Sequence, residues 1–267
     1  MTPLQNKIAE LLDSGAINLC IGFKEAIHKL PVPCFVENPS QVQQLLFTPH
    51  CKGNLAVYLH KPEVKAAKKV GIVANVATLR SIIQLVSENQ LGDLEKTVIT
   101  LTHENELLVF TEMEKLEAYV QSNFPELNYD DKQLLEQINA MSREERWQFW
   151  SEQFAACVKC YACRAVCPMC YCSSCTVESN QPQWIKVSSQ TTGNMEWHTM
   201  RAMHLAGRCI NCGECGRICP VGIPVHLLTA QMNRDIEAEF GGRTGYSLKG
   251  GYALNSFKPG DKEQFIK

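Results

Sequence analysis

The residues Cys157-Val158-Lys159-Cys160-Tyr161-Ala162-Cys163-Arg164-Ala165-Val166-Cys167-Pro168 set three cysteines at intervals of three, a fourth after three intervening residues, and a proline directly behind it. The arrangement returns at Cys209-Ile210-Asn211-Cys212-Gly213-Glu214-Cys215-Gly216-Arg217-Ile218-Cys219-Pro220. Two residues between thiols let one tight turn present successive sulfurs to a common centre, and backbone N–H groups of that turn can offset the negative charge gathered there. The proline then redirects the chain. Eleven of the fourteen cysteines fall between Cys157 and Cys219. In a small secreted protein such density would mean a disulfide framework. A 267-residue chain whose start, Met1-Thr2-Pro3-Leu4-Gln5-Asn6-Lys7, lacks a basic flank before an apolar run is expected to be cytoplasmic and to use reduced thiols as metal ligands.

The duplicated run matches the bacterial 4Fe-4S pattern, in which three close thiolates hold one cluster and the fourth cysteine reaches the other. On that rule Cys157, Cys160, Cys163 and Cys219 serve one cluster, and Cys209, Cys212, Cys215 and Cys167 the second. Four-cysteine zinc sites are the alternative, but they usually arrange their ligands as separated pairs. Between Cys157 and Cys219 the six basic residues Lys159, Arg164, Lys186, Arg201, Arg208 and Arg217 face three acidic ones, Glu178, Glu196 and Glu214. This excess either favours anionic clusters or belongs to an ordinary solvated face. A helical stripe at Trp197, Met200, Arg201 and His204 sets the clusters among helices. With eight cysteines supplying eight positions, His198 and His204 read as packing or surface groups, and Met195, Met200 and Met203 as core filler.

Cys170, Cys172 and Cys175 follow at once and form an incomplete ligand set. They are either spare thiols or a third metal site, zinc or iron–sulfur, completed by Cys34, Cys51 or a histidine folding back.

Outward from this block the composition is globular: 45% apolar, 20% charged, with 26 basic against 28 acidic side chains and a net charge of −2. Balanced charge gives no broad positive field for nucleic acid, and no apolar run is long enough for a membrane span. Thr2-Pro3-Leu4-Gln5 opens a capped helix ended near Gly15. Strands are expected at 17–23, 32–36, 55–59, 70–74 and 97–102, with helices at 40–47, 77–88 and 113–122. Strand, helix and strand over 70–102 predict a right-handed parallel crossover. Pro125 breaks the chain, and helices follow at 130–140 and from Ser142, where Glu145 completes a capping box. The resulting fold class is α+β. An N-terminal α/β domain, 1–128, precedes a mainly helical dicluster ferredoxin-like domain, 129–267, ending in a Gly-, Ser- and Lys-rich tail; the two are packed rather than tethered.

The block 157–175, with Gly207-Arg208-Cys209 and the later Cys219-Pro220-Val221-Gly222-Ile223-Pro224, resembles the dicluster iron–sulfur subunits of anaerobic hydrogenase, formate dehydrogenase and heterodisulfide-reductase-type complexes. Pro33-Cys34-Phe35-Val36-Glu37-Asn38, residues 54–59 and residues 69–73 resemble the N-terminal α/β domain of that group, related to β subunits of deazaflavin-reducing hydrogenases. Where the resemblance implies a Cys-Asp pair after the strand at 70–74, this chain has Asn75-Val76-Ala77-Thr78. The N-terminal domain is therefore expected to be a docking scaffold without that site, its Cys20, Cys34 and Cys51 buried thiols.

The resemblance implies an electron-transfer subunit relaying single electrons through two 4Fe-4S clusters, docked to catalytic or flavin-containing redox subunits in a hetero-oligomer. No phosphate loop, Ser-His-Asp grouping or carboxylate pair points to bond chemistry in the chain itself. The alternative is a catalytic oxidoreductase subunit using a third metal site or a flavin.

Overall fold

The computed structural model describes residues 1–124, 131–175, 177 and 182–249. Thr2 opens α1 (Pro3–Asp13) as the capping box requires: its hydroxyl accepts the Gln5 N–H at 3.3 Å, and the Gln5 side chain accepts the Thr2 N–H at 2.8 Å. The chain continues through β1 (Leu19–Glu25), β2 (Pro31–Val36), β3 (Leu45–Leu46), α2 (Pro62–Ala66), β4 (Lys69–Val73), α3 (Val76–Ser87), β5 (Glu95–Leu101) and β6 (Leu107–Phe110). These strands form one sheet in the order β2-β1-β4-β5-β6, with β3 also against β1. β4 runs parallel to both β1 and β5, and the outer pairings are antiparallel. Parallel strands need apolar cover on both faces, and the nearly continuous apolar run of β4 meets that need.

Two expected elements take another form. Residues 55–59 make a 3-10 helix, Leu55–Tyr58, because the Asn54 side chain accepts the Ala56 N–H at 3.2 Å and turns the chain, while Thr78 Oγ1 takes the Leu55 N–H. A short apolar run carries no period that tells a buried strand from a buried turn. Residues 40–47 split into a 3-10 helix, Pro39–Gln44, and β3. Asn38, rather than Ser40, is the cap, accepting the Ser40 N–H at 2.9 Å ahead of Pro39. β6 was not anticipated: its side chains are only half-buried and lack strong alternation.

Helices follow: α4 (Met113–Asn123), α5 (Lys132–Ala140), α6 (Arg143–Ala155), α7 (Ala162–Ala165), α8 (Thr191–Leu205), α9 (Glu214–Arg217) and α10 (Val225–Phe240). The content is mixed helix and sheet, as an α+β class requires. Pro125, Asp130 and the boundary at 128 lie outside the described residues. The Ser142–Glu145 capping box starts α6, which ends at the first cysteine run.

The core is continuous across the two halves of the chain. Ile21, Ile72 and Val98 of the sheet and Leu79 and Ile82 of α3 share one buried cluster with Met169, Leu205 and Tyr246. Each such aliphatic side chain contributes about 2 kcal/mol by leaving water. Residues 244–246 return to the N-terminal half: Arg80 Nη2 donates to Thr244 O at 2.8 Å, Gly245 N to Gln84 Oε1 at 2.9 Å, and Tyr246 Oη to Phe124 O at 2.6 Å. Glu88, at the end of α3, accepts from Tyr171 Oη at 2.5 Å and pairs with Arg208 at 3.0 Å. No helix among the described residues is long and apolar enough to cross a membrane.

Candidate metal centre

α6 delivers Cys157 because its final turn is tied from outside. The buried Asn194 of α8 donates through Nδ2 to Phe154 O and to Cys157 O, both at 2.9 Å. Cys157, Cys160 and Cys163 then fold around one small cavity, with Lys159 and Tyr161 in left-handed backbone at φ 50° and 58°. The second run repeats the bend at Asn211 and Gly213, with φ 58° and 73°, around Cys209, Cys212 and Cys215. α7 and α9 are the matching single turns behind the two bends. Sequence spacing alone did not reveal these αL positions, since Lys159 and Tyr161 are not the usual residues for them, as Asn211 and Gly213 are.

Tertiary packing mixes the two runs. Cys219 lines the cavity of Cys157, Cys160 and Cys163, and it acts electrostatically on both Cys157 and Cys163. Cys167 stands among Cys209, Cys212 and Cys215 on the wall of a cleft of about 860 Å³. The cleft also reaches the sheet side of the molecule at Asn75 and Arg80. Burial pushes the thiols of Cys209, Cys212 and Cys215 up to about 12, and Cys163 to about 11. Such groups lose their protons only when a metal takes their place.

The surroundings fit an anionic iron–sulfur group. Backbone N–H groups of Lys159 and Asn211 reach Cys157 Sγ and Cys209 Sγ, each at 3.4 Å, and Ile223 N reaches Cys219 Sγ at 3.3 Å. His198 Nε2 lies 3.3 Å from Cys157 Sγ, with its ring stacked on Phe154. Burial, then the charges of Arg201 and Lys159, depress its pKa to about 3, which leaves a neutral imidazole against the sulfur. Arg201 is 4% exposed and gives Nη2 to Cys163 O at 2.8 Å. Its Nε and Nη1 find no acceptor, and neither does the indole N–H of Trp197. Burial alone would lower the Arg201 pKa, yet Cys167, Cys170, Cys215 and Cys163 hold it above the usual value. Buried donors without acceptors beside gathered thiols are what sulfide and thiolate would satisfy.

Residues 149–232 match the 4Fe-4S dicluster domain family. The chain is similar to the "F420-dependent formate dehydrogenase subunit beta" of Methanocaldococcus jannaschii, 32% identical over 93 residues, 34% of this chain and 24% of that protein. It also resembles the "F420-dependent formate dehydrogenase 1 subunit beta" of Methanococcus maripaludis, 29% identical over 110 residues, 41% of this chain and 28% of that protein. The chain thus spans about a quarter of the length of these curated relatives. The likeness is to β subunits of F420-dependent formate dehydrogenases and to a 4Fe-4S dicluster domain, which agrees with the resemblance seen in the cysteine runs.

Around the dicluster segment the other expected residues find clear places. Cys20, Cys34 and Cys51 are buried in the N-terminal half, Cys20 and Cys34 within the core against α1, and none joins Cys170, Cys172 and Cys175. Asn75 is a structural cap: Oδ1 accepts the Thr78 N–H at 2.9 Å, and Nδ2 donates to Cys51 O and Gly53 O at 2.8 and 2.9 Å. The basic excess is not a plain solvated face, because Lys159 and Arg201 are buried and Arg208 is paired with Glu88. His204 and Met203 are exposed, and His198 touches a thiol instead of merely packing. Asn194 and Asn233, whose amide reaches Cys209 O, escaped sequence reading; a buried amide within a helix was their one sign.

Proposed function

We propose that the chain is an electron-relay subunit holding two 4Fe-4S clusters, one on Cys157, Cys160, Cys163 and Cys219 and the other on Cys209, Cys212, Cys215 and Cys167. Its support is the exchange of fourth cysteines between the two runs, which sets Cys219 beside the first triplet and Cys167 beside the second. A bound cluster supplies a single-electron couple. The protein's own residues do the remainder: N–H groups of Lys159, Asn211 and Ile223 point at sulfur and stabilise added negative charge. Arg201 lies between the two thiol groups and favours electron residence on either. Half-buried Cys212 and Cys219 and exposed Cys160 leave short routes to the surface for exchange with a partner.

In this reading residues 1–128 are the docking domain and 129–267 the cluster domain of a subunit that works beside a catalytic or flavin-containing subunit, in the cytoplasm. The relatives are named as β subunits of formate dehydrogenases, so a dehydrogenase is the natural neighbour, and the chain itself makes and breaks no bonds. The test is anaerobic purification with iron, acid-labile sulfide and flavin analysis, and co-purifying subunits identified. Iron–sulfur content with signals after dithionite reduction supports the proposal. A colourless protein holding zinc alone would exclude it.

A further inference from the structure

We propose that Cys170, Cys172 and Cys175 hold a third iron–sulfur cluster, with three cysteine ligands and one iron bound by a non-cysteine group. The inference rests on the two-cluster reading and extends it. All three thiols line a single cavity between the 169–175 segment and α8. Cys170 is half-buried beside the Cys167 thiol, Cys172 is exposed and Cys175 is half-buried.

The cavity is built for negative charge. Arg201 and Arg208 line it, and among the described residues on its wall there is no carboxylate. Arg208 spends part of its charge on Glu88, but Arg201 meets no carboxylate and keeps Nε and Nη1 without an acceptor. Trp197, 2% exposed and on the same wall, carries an indole N–H with no acceptor. Sulfides and thiolates held here would share these donors with the neighbouring cluster sites.

The segment is also held in shape. Tyr171 is fixed by its 2.5 Å bond to Glu88 and by the Arg208 guanidinium 4.5 Å above its ring. Arg164 Nη2 donates to Cys172 O at 3.2 Å. Contact between Cys170 and Cys167 would set the third cluster next to the second, close enough to exchange electrons with it.

The test counts iron and acid-labile sulfide in the anaerobically purified full chain and in Cys172→Ser and Cys175→Ser, with electron paramagnetic resonance of each. Three cubanes predict about 12 iron per chain, falling to about 8 in either variant with the signals of the other two clusters kept. About 8 iron in all three proteins, or about 8 with one zinc, overturns the third cluster and leaves the two-cluster reading standing. Fewer than about 8 in the unaltered chain overturns both. Should one variant fail to fold by circular dichroism, the unaltered chain and the other variant still decide.

Discussion

Arg201 occupies the position where one charge acts on both thiol groups. Its guanidinium is buried, reaches Cys163 O and lies beside Cys167, Cys170 and Cys215. Arg201→Met is expected to lower the reduction potentials of both clusters, on the order of 50 mV each for a unit charge in a part-screened interior. Arg201→Lys should restore most of the shift. A redox titration followed by electron paramagnetic resonance reads both. At this scale the sequence was most legible for cysteines, whose spacing is local and lets one tight turn present successive thiols. Arg201 appeared only as part of a helical stripe, because nothing in one helix face says which charge its neighbours will bury.

Among the elements, α6 and α8 act as a pair that brings Cys157 into place. Asn194 answers two carbonyls at the end of α6. Asn194→Ala would strip one donor from each, leaving Cys157 N on Phe154 O and Ser189 Oγ on Cys157 O, and should cost about 1 kcal/mol, measured by denaturant unfolding of the holo-protein. Ser142→Ala removes the other end's cap and should cost about 1 kcal/mol. The first loss is also expected to loosen the Cys157 cluster and quicken its bleaching in air, while the second is not. Capping boxes at Thr2 and Ser142 were readable because they are local, three residues long and indifferent to the rest of the fold. The 3-10 turn at Leu55–Tyr58 was not: Asn54 is held by Ser81 Oγ at 2.8 Å, twenty-seven residues away, so its geometry depends on packing against α3.

For the whole molecule, the joint between sheet and cluster segment is made by a few contacts of high value. Glu88 is 1% exposed in its side chain and faces Arg208 at 14%. Removing the carboxylate leaves a largely buried guanidinium unpaired, so Glu88→Ala should cost about 3 kcal/mol, against little for Glu112→Ala, whose partner Lys115 is exposed. The strap at 243–248 closes the same joint, with Tyr246 held between the guanidinium groups of Arg80 and Arg243 at 4.6 and 4.8 Å. Tyr246→Ala should destabilise the fold by about 3 kcal/mol and speed proteolysis after residue 240, seen by mass spectrometry of the fragments.

By itself the sequence determined the cysteine periodicity, the helical surroundings, the parallel strand–helix–strand unit and the helix caps, since each depends on neighbours a few residues away. Only the tertiary structure decided that residues 244–246 return to the N-terminal half, that Arg201 lies between two thiol groups, and that three further thiols share one cavity. Those outcomes join residues up to 164 positions apart, as Arg80 and Thr244 are, through burial and charge that no local pattern records.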